Sequence, residues 1–203
     1  MSGFLRLLSL SIALIAAPTQ SAAEAEPPGR VGRISLASAG TQLRIGDSLA
    51  SGEDALNWPL TTGAFIETSA GGRSEVRIGS MALHIDGGTA LEFADPDDAR
   101  IRLRLHRGSI VIVLRNPEHA AETTLETPEG SLRFETPGSY RADVAGGTTA
   151  FSAYRGRALI ETVGLTLQAG ERIVLLGGAD RRQQAHGRVH GDRHRRYHFS
   201  SLH

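Results

Sequence analysis

Hydrophobic and polar residues alternate along most of this chain with a period of two, in short runs that glycine-bearing turns interrupt. Period two marks strands with one dry face and one wet face. The cleanest run is Arg100 to His106, where Ile101, Leu103 and Leu105 share one face and Arg100, Arg102, Arg104 and His106 share the other. Arg107-Gly108-Ser109 then reads as a turn, and the continuous apolar run Ile110 to Leu114 predicts a strand covered on both faces. From Pro59 to Phe93 the parity changes: Val76 and Ile78 fall on even positions, whereas Met81, Leu83 and Ile85 fall on odd ones. A one-residue slip exchanges the faces of a strand, so Gly79 should mark a bulge or tight bend between segments that share one core, read as the bend between sheet faces.

The remaining strands follow the same grammar. Ile34 with Leu36, and Leu43 with Ile45, predict a hairpin about Ala39-Gly40, while Gly46 to Asn57 keeps no period and reads as loop. Further strands are expected at Glu122 to Thr127, Ser131 to Glu135, Ser139 to Val144, Thr149 to Tyr154, Arg157 to Thr162, Leu165 to Gln168 and Arg172 to Leu176. Asn116 to Ala121 is a polar turn or a single helical turn. The fold class is therefore all-β: a single domain of many short, mostly antiparallel strands, a β-sandwich or roll or a β-solenoid-like stack, with a flexible C-terminal tail.

Length and composition narrow this picture. The 203 residues suffice for one domain with a real core, and the 24 glycines favour turns over long helices. With no cysteine, disulfides and thiolate chemistry are excluded. The 22 basic residues are all arginine, and with 22 acids the formal net charge is zero, which gives no reason to expect nucleic acid. Charge is nonetheless uneven, with six arginines from Arg181 onward against fifteen arginines and twenty acids between Glu24 and Gly178. The body is mildly acidic and the tail basic.

Arg6, the apolar run Leu7 to Ala17 and Ser21-Ala22-Ala23 have the order of a secretory signal peptide cleaved after Ala23. The apolar run is about half of the roughly 20 residues a membrane span needs, and no later segment approaches that length. The expected organisation is a signal peptide at 1–23, a linker at 24–30, a β domain at 31–178 and a basic His/Arg-rich tail at 179–203. The mature chain should be periplasmic or secreted in a bacterium, without a transmembrane helix.

Candidate chemistry is sparse. Arg100, Arg102 and Arg104 form a row able to recognise carboxylates or phosphates, with a solvated strand face as the competing reading. Asp95, Asp97 and Asp98 offer oxygen ligands for calcium, but their spacing is that of a turn rather than a calcium loop. His186, His190, His194 and His198 recur every four residues and would share a helix face for zinc, nickel or copper. Gly187 and Gly191 oppose that helix, so a disordered basic tail is the reading preferred over a metal site. Ser74, Ser80 and Ser109 lie in turns beside glycine, where serine serves geometry. No triad, zinc site or phosphate loop is legible, so the chain reads as non-enzymatic and no cofactor is expected.

Seven short motifs occur in order: Gly29-Arg30-Val31-Gly32-Arg33; Trp58 before Pro59-Leu60-Thr61-Thr62-Gly63; Val76-Arg77-Ile78-Gly79-Ser80 leading to Ile85-Asp86-Gly87; and Leu105 to Val111 about Arg107-Gly108-Ser109. They continue with Thr127-Pro128-Glu129-Gly130, Pro137-Gly138-Ser139-Tyr140-Arg141 and Gln168-Ala169-Gly170-Glu171-Arg172. Together they resemble the FecR-type domain of bacterial envelope proteins, over roughly Gly29 to Leu176. Ala64 departs from the resemblance, since many relatives carry Asp there. The resemblance implies an all-β periplasmic module, whose founding kind relays an outer-membrane iron-transport signal to a cytoplasmic sigma factor. The chain shows neither the membrane helix nor the anti-sigma segment of that plan and is closer to stand-alone secreted members. The expected function is a binding or sensory module for a protein or an anionic envelope polymer, linked to envelope signalling. The alternatives are an architectural component tethered by its basic tail and a glycan hydrolase.

Overall fold

A computed structural model describes residues 32–97, 100–177 and 195–197. Its strands are β1 (Gly32–Ala37), β2 (Thr41–Ile45), β3 (Ser48–Ser51), β4 (Pro59–Leu60), β5 (Ala64–Thr68), β6 (Ser74–Ile78), β7 (Met81–Ile85), β8 (Ala90–Asp97) and β9 (Arg100–Leu114). After the helix α1 (Pro117–Glu122) come β10 (Thr123–Thr127), β11 (Gly130–Phe134), β12 (Gly138–Ala145), β13 (Thr148–Arg155), β14 (Arg157–Ile160), β15 (Leu165–Gln168), β16 (Arg172–Leu176) and β17 (Arg195–Tyr197). The expected all-β class is what the chain adopts, with strand bounds in the second half within two residues of the sequence reading.

Hydrogen bonding joins these strands into one network with two ladders. The first ladder runs β4-β1-β6-β7-β9-β12-β13-β16-β17. The second runs β3-β2-β5-β8-β9-β10-β11-β14-β15. Only β9–β10 and β16–β17 are parallel among the pairs. From β5 onward the chain passes between ladders hairpin by hairpin while strand order advances in one direction, so the architecture is a roll of two ladders. A single hydrophobic cluster draws on both, including Leu83, Ile112 and Phe151 of the first ladder and Ile66, Leu103 and Phe134 of the second. Phe134 and Tyr140 meet across it with ring centroids 4.8 Å apart. The Tyr140 hydroxyl, 2.7 Å from the Thr136 carbonyl, keeps its polar end satisfied.

β9 belongs to both ladders. Arg100 to Arg107 pairs with β8, and Gly108 to Leu114 pairs with β12. Arg107-Gly108-Ser109 is thus a bend inside one 15-residue strand rather than a turn between two. Inward residues change from odd (Ile101, Leu103, Leu105) to even (Ile110, Ile112, Leu114) across Gly108. The parity change at Gly79 has a different outcome. Gly79-Ser80 is a two-residue hairpin turn that pairs Ile78 with Met81 inside one ladder, so the expected bend between sheet faces is not there. In such a hairpin the residues flanking the turn face each other, which puts even positions of β6 and odd positions of β7 on one side.

Four other expectations change. β1 and β2 are not a hairpin: β1 pairs with β4 and β6, and β2 pairs with β3 and β5. Leu36 consequently ends 48% exposed beyond an irregularity in β1. Gly46 to Asn57 contains β3 and a 3-10 turn at Gly52–Ala55, hidden in the sequence because the inward residue, Ala50, is small while Leu49 points out at 65% exposure. Val111 and Val113 are only half-buried, so the Ile110 to Leu114 run is covered on one face alone. Asp95 and Asp97 extend β8 opposite Arg102 and Arg100, past a bulge after Phe93, instead of turning the chain. The helical turn near Asn116 does form, with Asn116 Oδ1 accepting the His119 amide at 2.8 Å and Pro117 opening the helix.

Candidate functional site

The outward face of the second ladder carries one straight cross-strand row. Register places Leu49 opposite Arg44, Arg44 opposite Phe65, Phe65 opposite Glu92, Glu92 opposite Arg104, Arg104 opposite Glu126 and Glu126 opposite Ser131. Alternation forces this arrangement, since the neighbours Leu43, Ile66, Leu91, Leu103 and Leu125 are all buried. Directly opposed side chains in a sheet lie within contact distance, and here they connect. Arg104 reaches Glu92 at 3.3 Å and Glu126 at 3.0 Å. His106 Nε2 lies 2.9 Å from Glu92 Oε2, and the His106 and Phe65 rings are 5.6 Å apart. Glu92 is held below the usual carboxylate range chiefly by its hydrogen bond to His106, with Arg104 adding to the effect.

At one end of this row lies a hollow of about 380 Å³ lined by Arg44, Gly46, Gly63, Phe65, Glu92 and His106. The Arg44 guanidinium stands over the Phe65 ring, 5.1 Å from its centroid. Among the described residues Arg44 forms no ion pair. Its fork of donors is therefore oriented by the ring and uncommitted to a carboxylate. Glu92 is the one carboxylate among the lining residues, and its oxygens already face His106 and Arg104.

The sequence candidates are distributed unevenly relative to this hollow. Arg104 is spanned by two glutamates and Arg102 lies 3.4 Å from Glu126, so the arginine row is internally compensated; Arg100 is engaged as well. Arg44, Phe65 and His106, which flank the hollow, were missed as a group because they come from three strands. The signal for Phe65 was a large aromatic between the inward positions Ala64 and Ile66. Asp98 and the histidines His186, His190, His194 and His198 lie outside the described residues. Among the described residues no group of acids and histidines is arranged to hold a metal ion.

The three serines have structural partners. Ser74 Oγ donates to the Leu36 carbonyl at 3.0 Å, and Ser80 Oγ lies 2.7 Å from Nδ1 of buried His119, tying the β6–β7 turn to α1. Ser109 Oγ donates to Asp143 at 2.6 Å on the outward face of the first ladder. There Asp143 also accepts from Arg141 at 2.8 Å and Arg172 at 3.1 Å, and Arg141 continues to Asp86 at 3.1 Å. Burial alone would push the Asp143 carboxyl up; the hydrogen bonds from Arg141 and Ser109 outweigh it and hold the group below its usual range. These bonds tie β9, β12 and β16 together, so the cluster fastens strands.

No known protein family matches this chain, and no curated protein matches it. Among solved structures it is similar to a candidate anti-sigma factor from Parabacteroides distasonis ATCC 8503, with a TM-score of 0.48 and 14% identity. That likeness covers 56% of this chain and 55% of the other. Among the described residues no helix is long and apolar enough to cross a membrane.

Proposed function

We propose that the chain is an exported FecR-like binding module of the bacterial envelope, engaging a protein or an envelope polymer through the outward face of its second ladder. The observation that carries this reading is the position of the motifs that resemble FecR-type domains. Each described one falls at a joint of the roll: Thr61-Thr62-Gly63 leads into β5, Gly79-Ser80 turns β6 into β7, Gly108 bends β9, and Gln168 to Glu171 turns β15 into β16. They specify the scaffold, and on such a frame function is set by the side chains that its faces present.

Binding is favoured over hydrolysis at the hollow because glycoside cleavage uses two carboxylates across the scissile bond, and here one carboxylate lines it and is already paired. The test is site-directed photo-crosslinking in cells, with the probe at Leu49 beside the hollow and, as a control, at exposed Tyr154 on β13. An envelope adduct from position 49 and none from 154, with the chain in the periplasmic or extracellular fraction, is the expected result. Equal adducts, no adducts, or a cytoplasmic location would overturn the proposal.

A further inference from the structure

We infer that the hollow bounded by Arg44, Phe65, Glu92 and His106 is a subsite for a carboxylate-bearing sugar residue of an acidic glycan. This deepens the binding reading above and rests on it. The first ground is the state of Arg44. Its guanidinium stands over Phe65 at 5.1 Å and forms no ion pair among the described residues; Arg33, Arg73 and Arg155 form none either, but of these four only Arg44 lines the hollow. An arginine stacked on a ring with its fork uncommitted is arranged for bidentate capture of a carboxylate.

The second ground separates a glycan from an acidic peptide. β2, β5, β8 and β9 are each paired on both sides, so the strands lining the hollow offer no edge to an added strand, and the one edge nearby among the described strands is that of β3, outside the lining. Recognition within the hollow uses side chains. Glu92 is held below its usual range by His106 and Arg104, and its Oε1, which among the described residues meets only Arg104 at 3.3 Å, can accept a hydroxyl, which a sugar supplies and a carboxylate side chain does not. A hexuronic or muramic residue presents both complements, a carboxylate for Arg44 and ring hydroxyls for Glu92, and its C–H face can lie on the edge of Phe65. A hollow of about 380 Å³ is at the small end of ligand sites, the scale of one or two sugar rings.

The test titrates the purified full chain with galacturonic acid oligomers and with peptide-free muramic-acid glycan strands, using neutral dextran oligomers and polyglutamate as controls. Saturable binding of at least one acidic glycan is expected, with neither control bound. Arg44→Gln should weaken it about 10- to 100-fold, the range for losing a charge-assisted hydrogen-bonded pair. Because Arg44 is an exposed residue, the variant should keep the parent circular dichroism spectrum, and Leu49→Ala provides a second variant that trims the rim without touching the fork. Absence of acidic-glycan binding, undiminished binding by Arg44→Gln, or equal binding of polyglutamate would overturn the sugar assignment. If the position 49 crosslink persists in Arg44→Gln cells, the sugar subsite fails while the module reading stands; if both vanish in the parent chain, both fail.

Discussion

Gly79 and Gly108 carry the same signal in the sequence, a change of parity between flanking apolar residues, and they do opposite things in the fold. At Gly79 the chain reverses within the first ladder, so β6 and β7 lie side by side. At Gly108 the chain keeps its direction and passes from the second ladder to the first, so one strand serves both. Both glycines hold positive φ, 54° and 88° respectively. What separates them is their surroundings. A Cβ on Gly108 would collide with the backbone of Thr89, whereas one on Gly79 would meet only the imidazole of His119, 2.8 Å from Cε1. A parity change therefore shows that the chain must leave the simple strand, and the neighbours decide whether it turns back or crosses over.

Gly108→Ala tests the crossing most severely. The residue needs a φ that L-residues rarely adopt, and the obstructing atoms include the main chain of Thr89 and Gly88, which cannot rotate away, besides the Thr89 hydroxyl. Thr89 is held in place, since its hydroxyl accepts the Ser109 amide at 3.0 Å and its own amide donates to Thr68 Oγ1 at 3.0 Å. The expected loss is about 3 kcal/mol or more, measured as a fall in the urea midpoint. Stability within about 0.5 kcal/mol of the parent would show that the crossing does not depend on glycine.

The next effect tests what fastens the crossing on its far side. Ser109, directly after the bend, donates to Asp143, which two arginines also hold. Asp143→Asn should cost about 2 kcal/mol near neutral pH, the order of losing hydrogen bonds to a charged group. The pH dependence gives the sign. Because the folded carboxyl titrates below its usual value, the unfolded chain binds more protons between the two, and the parent gains stability as pH rises through that interval. The contribution is complete above the ordinary aspartate range, near pH 3.9, and is lost as pH falls through the depressed value. The gap between parent and Asp143→Asn should therefore shrink on acidification; a gap constant from pH 7 to about pH 3 would remove Asp143 from this role.

These contrasts also show what the sequence made legible. Class, strand bounds in the second half and the turn at Asn116 to Ala121 follow from period two and local chemistry, which neighbouring residues determine together. Ladder membership does not, because β1 and β2 alternate as a hairpin would and yet join different ladders. The candidate site was half visible. Arg104 stood in an obvious row, but its compensation by Glu92 and Glu126, and the gathering of Arg44, Phe65 and His106, arise from register between strands separated by dozens of residues. Side-chain period says which face a residue takes, and only pairing says whom it meets there.

The hairpin glycine should respond least. Gly79→Ala places a methyl in a left-handed conformation that costs an L-residue about 1–2 kcal/mol, offset by the 0.4–1 kcal/mol that alanine gains through its stiffer unfolded chain. The remaining term is the push on His119, whose ring is buried and whose Nδ1 is bonded to Ser80 at 2.7 Å. A side chain can yield where main chain cannot, so the net loss should be about 1 kcal/mol, well below that of Gly108→Ala. Combining Gly79→Ala with His119→Ala isolates that push: if the imidazole is what the methyl meets, the double variant is more stable than the sum of the two single losses predicts. Strict additivity would mean that backbone conformation alone governs Gly79, and the two glycines would then differ in degree rather than in kind.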